Sequence, residues 1–198
     1  MTPDLLIALA LFGLVSSITP GPNNTMLMAS GANFGFVRTL PHLAGVVLGF
    51  PLMVIGVGLG LGGLFAAFPM LHEVLKWVGT AYLFYLAWKI ANSTSIGAGS
   101  AGPQPMRFWQ AVGFQWVNPK AWAMALGTVT TYAPQDGYAL NVVIAALVFS
   151  VVNAPCVSMW AGFGVAVRRF LSTPKALRIF NWTMAAGLVA SVAVTFKA

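Results

Sequence analysis

The chain has 198 residues, of which 59% are hydrophobic and only 7% charged, where a soluble domain carries about 25% charged residues. So few charges cannot cover a water-soluble surface, and a mean hydropathy of +0.84 excludes a disordered chain; the composition is that of an integral membrane protein. Ten bases against three acids (Asp4, Glu73, Asp136) leave a net charge of +7, but the bases stand at the ends of apolar runs, which is a topology signal and not a nucleic-acid patch.

A membrane-crossing helix needs about 20 apolar residues, and six candidates follow one another. The first runs from Leu5 to Phe34 and is interrupted at Thr19-Pro20-Gly21-Pro22. Its leading residues lack the positive region of a signal peptide and carry Asp4, so it is expected to be a retained span. The second covers Leu43 to Phe65 and the third Leu75 to Ile90, with Lys76 and Lys89 beside Trp77 and Trp88 at its ends. Ala91 to Met106 is a polar linker of turn composition. Phe108 to Tyr132, Tyr138 to Val167 and Ile179 to Phe196 complete the set. Strict apolar/polar alternation is missing, which argues against a β-barrel. His42 and His72 stand near span ends and are expected at the interface, and Cys156 falls in an apolar run and cannot pair within the chain.

Sorted by side of the membrane, Lys76 and Lys197 fall with the termini, while Arg38, Lys89, Arg107, Arg168, Arg169, Lys175 and Arg178 fall opposite. The positive-inside rule then places both termini outside. Lys120 belongs to neither set, because it lies inside span four.

Spans one and four share a polar, proline-containing interruption. Aligning Pro20 with Pro119 gives an offset of 99, and Pro51 with Pro155 gives 104. The expected architecture is all-α: a single transmembrane domain over 1–198, made of two inverted three-helix repeats (1–90 and 108–198) joined by linker 91–107, each with a proline-broken first helix. Inverted repeats with matched breaks mark secondary transporters, whose site lies near the midplane.

The chemistry centres on those breaks. Two prolines around Gly21 prevent a regular helix over that turn and free backbone groups at membrane depth, which protein or water must satisfy. Thr19, Pro20, Gly21 and Pro22 form the break; Asn23 and Asn24 are placed to cap the second half-helix, whose positive end suits a carboxylate. A structural kink with capping asparagines is the plainer account. Asn118-Pro119-Lys120 puts a lysine in mid-span, which is costly unless it faces a cavity or a partner. No span offers an acid, so that partner is a carbonyl, an asparagine or a bound anionic group; the proposal is a substrate carboxylate, and the plainer account is a lysine that snorkels. Gln115 and Asn153 are placed to face the same cavity, or to make interhelical hydrogen bonds. Gly45 and Gly49 predict close helix packing in span two. Protease, hydrolase, nucleotide-loop and dinucleotide motifs are all missing from the sequence, and no metal or cofactor set can be assembled. An enzyme is not expected.

Thr19-Pro20-Gly21-Pro22-Asn23, the stretch Leu75-Lys76-Trp77-Val78-Gly79-Thr80-Ala81-Tyr82-Leu83 with Trp88-Lys89, and Asn118-Pro119-Lys120 after Phe114-Gln115 together resemble the lysine-exporter (LysE) superfamily of translocators. The branch is most like the homoserine/threonine-resistance (RhtB) type, which includes cysteine and O-acetylserine exporters. The resemblance covers nearly the whole chain. It implies export of amino acids or close derivatives across a bacterial inner membrane, driven by the proton motive force. The acid that some basic-amino-acid exporters of this family carry in the second span is missing, with Phe50 or a neighbour in its place. Small neutral substrates are therefore expected. Besides substrate and lipid, a homodimer is compatible with this reading. The alternative is a non-transporting structural or assembly subunit of a membrane complex.

Overall fold

Helices make up nearly all of the chain that the computed structural model describes, residues 1–61, 67, 69–93 and 104–195. Eight α-helices lie among these residues: α1 Pro3–Ile18, α2 Pro22–Phe34, α3 Phe36–Gly56 prolonged by a π turn Val57–Leu61, α4 Pro69–Ala91, α5 Phe108–Gln115, α6 Pro119–Tyr132, α7 Tyr138–Arg168 and α8 Pro174–Thr195. Five of them open on proline, at the position where a missing N–H costs nothing and a fixed φ suits the helix. Pro41 and Pro51 lie inside α3, and Pro155 inside α7.

Both expected interruptions are present. Thr19 precedes Pro20 and is held extended (φ −66°, ψ 145°), so α1 stops. α2 leaves at 53° to it. The other falls at 116–118, between α5 and α6. The prolines that open the second half-helices are Pro22 and Pro119. Pro22 and Pro119 thus hold the same local place, the first turn after a break, behind Gly21 and Asn118 at the N-cap positions.

α3 with its π turn and α7 are each long and apolar enough to cross a membrane, and the bent pair α1–α2 makes a third span when counted as one. Among the described residues the other helices do not pass the same measure. α4 and α8 have the length, 23 and 22 residues, but α4 carries Glu73, Lys76 and Lys89, and α8 carries Lys175, Arg178 and Asn181. The far end of the expected second span, residues 62–65, lies outside the described residues, as does most of the linker.

α7 is the central helix, with α1, α2 and α3 laid along it; α5 packs on α3, and α4 packs on α8. The α2–α7 crossing is backbone against backbone. A Cβ on Gly31 would overlap the Ala161 carbonyl oxygen, and one on Gly164 would overlap that of Met28. At the α3–α5 crossing a Cβ on Gly45 would overlap the Phe108 carbonyl, and one on Gly49 would lie 2.8 Å from Val112 Cα. The small-residue pattern of span two is thus a packing device.

Polarity runs inside out. Val15, Leu48, Leu147 and Val151 stand exposed, the last at 74%, while Asn24, Asn33, Gln115, Asn118, Asn153 and Asn181 are buried. That distribution suits lipid outside and satisfied polar groups within. His42, expected at the interface, is buried in α3 with 2% exposure; the α2–α3 turn at Gly35 starts α3 six residues before His42, so that residue lies beyond the first turn of the packed helix. The side chain of His72 lies outside the described residues. At one end of the molecule the N-terminal amine donates to Asn141 Oδ1 at the start of α7 (3.4 Å). At the other, Gly35 in the α2–α3 turn lies against Arg168 at the end of α7.

Candidate functional site

When α1 stops at Thr19, its last carbonyls lose their helical partners, and at this depth each needs another. Each finds one. Ser16 O accepts from Thr19 Oγ1 (3.0 Å), Ser17 O from Asn24 Nδ2 (2.7 Å) and Ile18 O from Trp160 Nε1 (3.2 Å). Thr19 O accepts from Asn24 Nδ2 (2.8 Å) and from Lys120 Nζ (2.8 Å), and Pro20 O accepts from Lys120 Nζ (3.3 Å). Lys120 Nζ also donates to Thr19 Oγ1 (2.9 Å). An ammonium has three donors, and all three are directed at one strip of the first break. The positive head thereby sits at the negative end of the α1 dipole.

Lys120 reaches that strip because Asn118 fixes the start of α6. The residue before Pro119 is held extended (φ −91°, ψ 110°), and its Oδ1 accepts from Lys120 N (3.2 Å). The lysine stem then crosses Gly21, where a Cβ would approach Lys120 Cδ to 2.6 Å. Gly21 is extended, with φ −177°. Glycine is needed there for space, not for backbone conformation.

A second polar pair joins the halves. Asn23 Nδ2 donates to Gln115 Oε1 (2.9 Å), Gln115 Nε2 returns a bond to Asn23 Oδ1 (3.3 Å), and Gln115 also donates to Ala111 O (2.9 Å). Beside these contacts lies a cavity of about 30 Å³, lined by Gly21, Asn23, Asn24, Asn118, Lys120 and Asn153, with Ser16, Ser17, Phe50, Ala121, Met124 and Val157. That volume holds about two waters. Ser17 Oγ is buried without a partner among the described residues, and no side chain caps α2.

The LysE type translocator family matches residues 14–197. Similar proteins include the cysteine/O-acetylserine efflux protein of Salmonella typhimurium, 38% identical over 73% of each chain. That of Klebsiella pneumoniae is 32% identical over 96% of this chain and 95% of its own, and that of Escherichia coli K12 is 35% identical over 73% of each. No solved structure matches.

The chain belongs to the LysE type translocator family.

In this LysE-type translocator the eleven residues singled out from sequence fall into three groups. Gly21, Asn23, Asn24, Asn118, Lys120 and Asn153 share the cavity. Thr19 and Pro20 give their carbonyls to Lys120 from outside its wall. Pro22 and Pro119 open the two half-helices, and Gln115 is buried in its pairing with Asn23, one turn from the cavity. Asn24 does not cap α2; it turns back to the carbonyls of α1. Of the partners open to Lys120, the structure selects backbone carbonyls and a hydroxyl. Sequence reasoning missed Ser17 and Trp160. Ser16-Ser17 stands directly before the break and is a signal of a kind, whereas Trp160 reaches it from the fifth candidate span, 142 residues away, with no local cue.

Proposed function

We propose that this chain is a secondary exporter of small neutral amino acids or close derivatives, set in the bacterial inner membrane as six spans in two inverted three-helix repeats. The observation that carries the proposal is the lysine bridge: Lys120, at the second break, holds the carbonyl end of the first, over a cavity lined by amides from three helices. Membership of a translocator family and efflux relatives of nearly equal length support it. Repeat symmetry is supported by the packing, since α1, the first half-helix, lies on α7, and its counterpart α5 lies on α3. The basic residues Arg38 and Arg168 share one end and the N-terminus stands at the other, which supports an orientation with both termini periplasmic.

The mechanism follows from which groups are engaged. A cavity of about 30 Å³ is too small for an amino acid, so the structure corresponds to a closed form. On opening, the substrate carboxylate replaces Thr19 and Pro20 as the acceptor of Lys120 and meets the uncapped first amides of α2, where the dipole favours an anion. Ser17 and Asn153 receive the ammonium. No acid lines the cavity, so nothing there pairs with a cationic side chain, and neutral substrates are favoured. Cysteine and O-acetylserine, the substrates named for the efflux relatives, fit this class.

The proton motive force drives the cycle in this reading. Everted membrane vesicles containing the protein are expected to accumulate labelled O-acetylserine, cysteine or threonine when energised, and to lose the accumulated label on adding a protonophore. Failure to accumulate any neutral amino acid across a panel would overturn the proposal.

A further inference from the structure

A second chamber lies at the opposite end of α2. It measures about 100 Å³, more than three times the first, and its wall comes from α2, His42 of α3, the second half of α4 and the start of α5. Most of its polar groups are engaged elsewhere: Ser30 Oγ pairs with Thr39 Oγ1 (2.8 Å), and Asn33 exchanges bonds with Asn181 (2.8 and 3.1 Å). Two are not. Both ring nitrogens of His42 and the hydroxyl of Ser93 are buried without a hydrogen bond among the described residues, and both residues line this chamber. Unpaired buried polar atoms are rare and costly, and two such groups on one cavity wall call for a partner that the described residues do not supply.

Chemistry narrows that partner. A neutral imidazole offers one donor and one acceptor, and a hydroxyl offers both. Lys89, its Nζ 5.8 Å from the centroid of the Tyr85 ring, adds a positive charge on the same wall, and the ring of Tyr82, stacked on Tyr85 (centroids 5.9 Å apart), adds a further face that attracts a cation. A small zwitterion matches this set, with its carboxylate toward Lys89 and the imidazole N–H, and its ammonium toward the imidazole lone pair and the Tyr82 ring.

Position supplies the rest. Along α2, Asn23 lines the first chamber and Met26, one turn later, lines the second; along α5, Gln110 lines the second and Asn118, just beyond that helix, lines the first. The reciprocal Asn23–Gln115 pair stands at the edge of the first chamber, with Gln115 between the two chambers along α5. The chamber also lies toward the basic end of the molecule, where Arg38 and Lys89 stand. We infer that the second chamber is a loading site for the exported amino acid, with His42 as its recognition group, separated from the helix breaks by the Asn23–Gln115 pair. This inference rests on the export reading and adds a binding site to it.

The test uses a reactive cysteine in the chamber. In the full-length protein with Cys156→Ser, Ile90→Cys introduces a thiol on the chamber wall, and its labelling by a small maleimide is followed with and without O-acetyl-L-serine or L-threonine. The amino acid is expected to slow labelling several-fold, and to do so equally when Lys120→Ala is added. His42→Leu is expected to remove the protection while raising the thermal midpoint of the purified protein, since an unpaired polar ring is replaced by an apolar side chain. His42→Gln, which keeps a donor and an acceptor, is expected to retain part of it. Absence of protection by either amino acid, or protection unchanged by His42→Leu, would overturn the loading site. Export is read separately in vesicles: export without protection removes the second chamber alone, and protection without export removes the transport reading alone.

Discussion

The two helix breaks contain similar residues and are held in different ways. The break at 116–118 is self-sufficient. Trp116, Val117 and Asn118 each donate their amide three residues back, to Gly113, Phe114 and Gln115 (3.1, 3.1 and 3.3 Å), Trp122 Nε1 returns to Trp116 O (2.8 Å), and Asn118 caps the helix that follows. The break at 19–21 is dependent. Its carbonyls are met by Asn24 of the next half-helix, by Trp160 of α7 and by Lys120 of α6, and the helix after it begins without a side-chain cap. One break is a fixed support that projects a lysine; the other is a set of backbone groups held by borrowed donors. Under the proposed export reading, borrowed donors can turn from these carbonyls to a substrate, and a local ladder cannot, so binding is proposed for the first break and positioning for the second.

Lys120→Met tests this difference most severely. It keeps the length of the stem and removes the donors, so export is expected to fall to background, and the loss of hydrogen bonds to a charged group is expected to cost about 2 kcal/mol in thermal unfolding. Full export in this variant would remove the binding role. Asn24→Ala and Asn118→Ala, measured together, set the two breaks against each other. Asn24→Ala strips two bonds from buried carbonyls and is expected to cost about 2 kcal/mol and most of the export rate. Asn118→Ala removes one cap and is expected to cost about 1 kcal/mol, with export reduced to a smaller degree. An equal effect of the two on export would erase the asymmetry. The smallest expected effect has the opposite sign. An added Cβ at Gly113 meets nothing within 4 Å, so Gly113→Ala is expected to leave export intact and stabilise α5 by up to about 1 kcal/mol.

Much of this was legible in the chain. Proline chemistry is local, so Pro20, Pro22 and Pro119 announced both breaks within a residue or two, and apolar runs located the helices that contain them. The lysine without an acid in any span announced an ammonium that something else had to meet. The illegible part is the pairing, which depends on where helices cross. Asn24 was placed as a cap for the helix it begins, but the 53° bend turns its amide toward the carbonyls of α1. Pro20 and Pro22 both suit a helix start, and only the backbone shows that Gly21 takes the cap and Pro22 the first turn. His42 follows basic Arg38 and reads as interfacial, until α3 is seen to begin at Phe36 and carry it inward. The expected six-span count needs α4, α8 and the broken pair α5–α6 as well, and the charges and amides of the first two blur the apolar signal that α3 and α7 give plainly.

The glycine crossing of α2 and α7 bears on motion. Gly31 meets the Ala161 carbonyl and Gly164 meets that of Met28, so at these two contacts no side chain lies between the helices to swing aside or change rotamer. Sliding one past the other would drive Cα atoms into carbonyl oxygens, and the pair is therefore welded into a single stator. α1 has no such weld to α2; the break at 19–21, extended at Thr19 and Gly21, and a set of exchangeable hydrogen bonds join them. If the protein transports as proposed, the rocking that opens a path has its fulcrum there, with α1 as the lever and Lys120 as the catch that releases it.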